Sequence, residues 1–145
     1  MKGSKWVKVV TVVISLTAIY IAFNISRGVS HYNRGVSHLA EGQYDRAIAC
    51  LDKAIKVESK FPEAYCNRET AYYEKGQYAE AIRDFDRAIE LKPEFAEAYY
   101  NRAMVYYHQK QYSLAWDDVN RAQSLGHFVS ANLLEALQEA TGREH

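Results

Sequence analysis

The feature that most constrains this chain is a period of 34 residues, kept without a single insertion. Gly42-Gln43-Tyr44 returns as Gly76-Gln77-Tyr78 and again as Lys110-Gln111-Tyr112. The same step relates Ala47, Ala81 and Ala115, then Ala54, Ala88 and Ala122, then Asn33-Arg34, Asn67-Arg68 and Asn101-Arg102. A strict period of this length demands stacked supersecondary units, because one unit alone cannot bury its own apolar face.

Helix signals placed on the period say what each unit is. Pro62 and Pro93 fall between units, where a helix must stop or start. Gly42 and Gly76 sit mid-unit, between apolar runs such as residues 63–73 and 79–89, which carry apolar or small residues at i, i+3, i+4 and i+7. Each unit therefore reads as two antiparallel helices joined by a Gly turn, and the chain as all-α.

The pattern resembles the tetratricopeptide repeat family, whose units carry aromatic, small and Ala positions at fixed offsets. In the third unit the matches are Tyr99, Ala103, Tyr106, Ala115, Val119 and Ala122. In the second they are Tyr65, Tyr72, Ala81, Phe85, Ala88 and Pro93. The first has His31, Gly35, His38, Ala47, Leu51 and Ala54, with Ser59 where the closing Pro would stand. The resemblance implies three repeats over residues 28–61, 62–95 and 96–129, wound into a superhelix. It is followed by a capping helix and tail at 130–145, with Leu133, Leu134 and Leu137 on one side and Gly142 as its stop.

Four departures from the family pattern carry expectations. Glu69 replaces a small residue and is expected to pair with a neighbouring Arg or tilt into solvent. Arg34, Arg68 and Arg102 stand where the family often has an aliphatic residue. Lys110 replaces the turn Gly, which predicts strain there. His127 replaces the last Pro, leaving Gly126 to end that helix.

The N-terminus is the second informative segment. Val9 to Ser26 carries no charge, and at 1.5 Å per residue it makes about 27 Å of helix, close to a bilayer core. Residues 1–27 read as an uncleaved single-pass anchor. The alternative is a signal peptide cut near Gly28-Val29-Ser30, which would remove the start of the first repeat helix. Lys2, Lys5 and Lys8 precede the span and Arg27 and Arg34 follow it, which places the N-terminus in the cytoplasm and the repeats on the extracytoplasmic side, the periplasm in a bacterium. The inverse arrangement, with cytosolic repeats, is the alternative. Thr11, Ser15, Ala18 and Ala22 share one face of the span, either as a contact for another membrane helix or as ordinary small residues of a membrane segment.

The resemblance also implies a partner-binding surface, because the first helix of each repeat lines the concave side of such a superhelix. The positions that carry over include Asn33, Asn67 and Asn101, joined by Tyr32, Val36, Cys66, Thr70, Tyr73, Tyr100, Met104 and Tyr107. The Asn ladder can hold the backbone of an extended peptide, or else bond the neighbouring repeat. Family members that bind acidic chaperone tails use a clamp of Lys and Arg. The matching positions here hold Tyr32, Val36, Glu97 and Asn101, with only Asn67 retained, and Glu63, Glu74 and Glu97 would repel a terminal carboxylate. Apolar, aromatic or basic segments fit better.

Other classes find little support. Acidic and basic residues balance at 18 each, so no basic stripe calls for nucleic acid. Cys50 and Cys66 lack metal-ligand spacing and read as free thiols. His31 and His38 occupy aromatic positions and read as packing residues, and Asp117-Asp118 reads as solvated charge. No nucleophile with a base, phosphate loop or cofactor motif is visible, so neither an enzyme nor a cofactor is expected. The expected function is a membrane-anchored protein-interaction module, an adaptor or assembly factor whose partners include a membrane protein. A permanent subunit of a larger membrane complex is the alternative.

Overall fold

The computed structural model describes residues 3–142. Met1 and Lys2 at the head of the expected anchor and residues 143–145 of the tail lie outside the described residues, as do the side chains of Lys5 and Lys8. The described residues form seven helices: α1 (Gly3–Ala40), α2 (Tyr44–Val57), α3 (Pro62–Glu74), α4 (Tyr78–Leu91), α5 (Ala96–His108), α6 (Tyr112–Ser124) and α7 (Ala131–Thr141). They pair as α1 with α2, α3 with α4, and α5 with α6, and α7 closes the end of the stack.

The turns show why the pairing repeats so faithfully. Gly42, Gly76 and Lys110 all adopt positive φ, 68°, 71° and 59°. Around each, the following Gln donates its N–H to a carbonyl five residues back: Gln43 to His38, Gln77 to Tyr72 and Gln111 to Tyr106, each at 2.8 Å. This closure satisfies carbonyls that the helix end would leave bare. Lys110 makes the same bonds as the glycines while holding a side chain in the left-handed region, at a cost of roughly 1 kcal/mol. Gly126, at φ 83°, ends α6 as expected.

Small residues set the distance between paired helices. Ala47, Ala54, Ala81, Ala88, Ala115 and Ala122 are fully buried, and Leu51, Phe85 and Val119 fill the gaps beside them. At Gly35 any Cβ would lie 2.6 Å from Leu51 Cγ, so α1 and α2 touch backbone to side chain at this point. Each core cluster also borrows from the next unit: Ala64 and Ala71 join the first, and Ala98 and Val105 join the second. Val129, Leu133 and Leu137 complete the last, under a helix whose N-cap Ser130 accepts from the Leu133 N–H.

The constant step also builds a partly buried charge ladder. Arg68 grips Asp84 through Nε and Nη2 at 2.7 and 2.6 Å, and reaches back to Asp52 of the preceding repeat at 2.5 Å. One period on, Arg102 repeats the arrangement with Asp118, 2.7 Å on both arms, and Asp86 at 2.5 Å. Tyr65 and Tyr72 flank Arg68, and Tyr99 and Tyr106 flank Arg102, with the guanidinium carbon 5.5 to 5.9 Å from each ring centre. Burial would lower both guanidinium pKa values, but the bonds and charge of Asp84 and Asp118, then of Asp52 and Asp86, hold them above the usual range. Asp118 is thus a correction to the expectation of a solvated pair. Asp117 is exposed, whereas Asp118 is 5% exposed and bonded to Arg102.

α1 carries no break between residues 27 and 28, so the apolar segment and the first repeat helix are one helix of 38 residues. A window within Val9–Ala40 has mean hydropathy 2.1, and none of that window is buried. The helix is long and apolar enough to cross a membrane. Polar side chains along it bond its own backbone: Ser15 donates to the Thr11 carbonyl, Thr17 to Ile14 and Asn24 to Tyr20, at 2.8 to 3.0 Å.

Candidate functional site

The inner helices α1, α3 and α5 bring most of the residues named from the sequence onto one side of the stack. On α1, Val36 and Asn33 are exposed, and Tyr32 is half-buried with its ring 4.7 Å from that of Phe61. The Asn67 amide donates to the Tyr32 hydroxyl at 3.0 Å and to the Glu63 carbonyl at 2.9 Å. Asn101 stands in the same relation to Cys66, one period later, and offers the thiol a hydrogen bond. Asn67 thus bonds the side chain at the preceding position of the preceding repeat, and Asn101 faces its counterpart there. Both amide hydrogens of Asn67 are spent inside the stack.

Burial first, then the charges of Glu69 and Glu97, push the Cys66 thiol far above its ordinary range. It stays protonated, and both Cys66 and Cys50 are buried free thiols. Aromatic rings gather near the turns and the end of the stack. Tyr73 lies 5.8 Å from Tyr78 and 5.5 Å from His108, and Tyr107 lies 5.7 Å from Tyr112, while Tyr100 packs on His127 at 4.9 Å. Such half-buried rings supply contact area at small entropic cost to a binding surface.

Beside Tyr73 lies a cavity of about 160 Å³, lined by Glu69, Thr70, Tyr73, Glu74, Phe85, Asn101 and Met104. The sequence places Thr70, Tyr73, Asn101 and Met104 here, but not Phe85 or Glu69 as lining residues. Glu69 corrects its own expectation as well, since it neither pairs with an Arg nor tilts into solvent. It is 1% exposed, its Oε1 lies 2.8 Å from the Thr70 hydroxyl, and its Oε2 has no hydrogen-bond partner. The neighbouring Arg68 points about 100° away around the helix and is spent on Asp52 and Asp84. Burial raises the Glu69 pKa well above the ordinary 4.5, the Thr70 bond opposes this, and the charges of Asp84 and Glu97 add to it. The folded chain therefore holds this proton more tightly than the unfolded one. Its contribution to stability is greatest at low pH and declines as pH rises from 4.5 towards the folded-state value.

The tetratricopeptide repeat profile matches residues 29–61, and a second profile described as a TPR repeat matches residues 70–110, together just over half of the chain. The chain belongs to the tetratricopeptide repeat family. Among solved TPR structures, the first TPR domain of human RPAP3 superposes with a TM-score of 0.77 at 24% identity, over 81% of this chain and 94% of that one. The second TPR of Spaghetti (RPAP3), bound to the HSP90 peptide SRMEEVD, gives 0.68 at 27% identity, over 70% and 94%. The TPR2B domain of yeast Sti1, in complex with pHsp70, gives 0.74 at 20% identity, over 82% and 99%. No curated protein matches at a significant level.

Proposed function

We propose that this protein is a non-enzymatic, membrane-anchored interaction module, which holds a segment of a partner protein in the concave groove as an adaptor or assembly factor. The observation that carries the reading is α1, in which a bare apolar segment continues without a break into the first repeat helix. A helix exposing Val9, Ile14, Ile19 and Phe23 at 54 to 65% of their surface needs a bilayer or another apolar surface around it. The fold supports the other half, since TPR structures similar to this chain hold peptides. The HSP90 peptide SRMEEVD ends in acidic sequence, whereas this groove presents Glu63, Glu74 and Glu97, so a different segment chemistry is implied.

Mild-detergent purification of the full chain, followed by partner binding by Asn67→Ala and Asn101→Ala variants, tests the reading. Each substitution is expected to weaken partner binding by about 1 kcal/mol or more. Because Asn67 also bonds Tyr32, its variant should in addition melt a few degrees lower. Unchanged binding with lowered melting would assign the ladder to the stack alone. A partner that always co-elutes in fixed ratio would favour a permanent subunit.

The lysines before the span favour repeats on the extracytoplasmic side. Arg27, Lys53 and Lys56 gather around one recess beside the exit of the helix and favour the reverse. Protease added to sealed inside-out vesicles should leave the repeats intact. Digestion would place them in the cytoplasm.

A further inference from the structure

The Glu69 cavity has a chemistry of its own within the groove, and a ligand for it rests on the reading of that groove as a peptide site. Gly35 and Ala103 occupy the equivalent position in the other two repeats, where a small residue lets paired helices approach. The middle repeat alone spends that position on a carboxylate, with one bonded oxygen and one buried, unpartnered oxygen, in the lining of a cavity on the inner face. Sequences that break a local rule at one site, while keeping it elsewhere, tend to do so where function is served. The surroundings agree on the sign of the ligand. Glu63, Glu74 and Glu97 stand on the same inner helices, and a cation bonded among them, Lys92, is held 3.5 Å from Glu63 and over the Phe95 ring. Phe85, Met104 and Tyr73 offer apolar wall to an aliphatic stem, and Asn101 adds a polar side chain to the same lining.

We propose that this cavity is a specificity subsite for a lysine side chain of the bound partner segment, with Glu69 as the counter-ion for its ammonium group. Lysine is preferred to arginine because Oε1 is already engaged by Thr70 and a single free oxygen remains. One oxygen suits a compact ammonium, whereas a guanidinium fork seeks two parallel acceptors. The groups facing Glu69 from its neighbours are Asp84 on α4 and Glu97 on α5, both acidic, so they add to burial in favouring the protonated form of Glu69, and the arrival of an ammonium favours loss of that proton. Binding should accordingly release a proton, and affinity should rise with pH up to the free-state pKa.

The test uses the full chain in detergent and pools of dodecapeptides that are random except for excluding Asp and Glu and fixing one central residue as Lys, Arg or norleucine. The Lys pool should bind at least 10-fold tighter than the norleucine pool, and tighter than the Arg pool. In Glu69→Gln, which removes the charge and keeps the shape, the Lys preference should fall to within about 2-fold while the melting temperature holds or rises. Calorimetry of a Lys peptide in buffers of different ionisation enthalpy should show proton release to solvent. Equal binding of Lys and norleucine pools, or a preference that survives Glu69→Gln, overturns the subsite but leaves the groove. Equal binding of Lys and Arg overturns the choice of an ammonium. If no pool binds the native chain, the groove itself is not a peptide site and both readings fall.

Discussion

Arg102→Ala should lower the stability of the repeats by about 3–5 kcal/mol, enough to unfold the third unit and its cap first. The substitution removes both arms on Asp118, which is 5% exposed, and leaves that carboxylate in the interior with no cation. It also cuts the 2.5 Å bond to Asp86, through which the third repeat holds the second. Stability in a linear stack is the sum of each unit and its interfaces, so losing both at one residue is not absorbed elsewhere. Urea titration of the full chain in detergent, followed by helical circular dichroism, reads the loss. The double variant Arg102→Met with Asp118→Leu should recover most of it, because replacing a whole buried ion pair by apolar side chains is often neutral or stabilising. If Arg102→Ala stays within about 1 kcal/mol of the native chain, the ladder contributes nothing to the stack.

Much of the fold is legible in the sequence because a 34-residue period fixes helix pairs, turn positions and close contacts together. The strain at Lys110 is readable for the same reason: the turn needs positive φ whichever residue stands there. Asp118 reads wrongly from the sequence although its signal lies in that same period. Asp84 and Asp118 are one step apart, as are Asp52 and Asp86, and both pairs keep step with Arg68 and Arg102. Adjacent Asp117 and Asp118 look alike in sequence, but about 100° of helix separates a solvated carboxylate from a buried one. Glu69 is illegible for a different reason. Its neighbour Arg68 makes a plausible partner by sequence distance, yet the same rotation sends that Arg to the outer seam. Only the assembled helices show the carboxylate buried without a cation, in the lining of a cavity.

Under the proposed function, the continuity of α1 makes the apolar segment part of the binding geometry. On a helix of 3.6 residues per turn, Thr11, Ser15, Ala18 and Ala22 continue through Val29, Asn33 and Val36 as one stripe, at steps of four, three, four, seven, four and three. Val29 and Val36 are exposed along it, and small residues in its membrane portion would admit a second helix. A membrane-protein partner can therefore lay its own helix on the anchor while its emergent segment enters the groove. Each contact raises the effective concentration of the other, and linkage of this kind multiplies affinity by roughly 10²–10⁴. Three changes to the full chain separate this arrangement from a plain tether. Ser15→Leu with Ala18→Leu should weaken the partner by blocking close helix approach. A single Ala inserted after Phe23 turns the membrane face about 100° from the groove and should weaken it as much, although hydropathy and length barely change. Residues 29–145 alone should remain helical by circular dichroism and bind about 10²-fold or more weakly. Should the insertion variant and the soluble fragment both bind as tightly as the native chain, the anchor serves only to locate the groove at the membrane, and the stripe has no part in recognition.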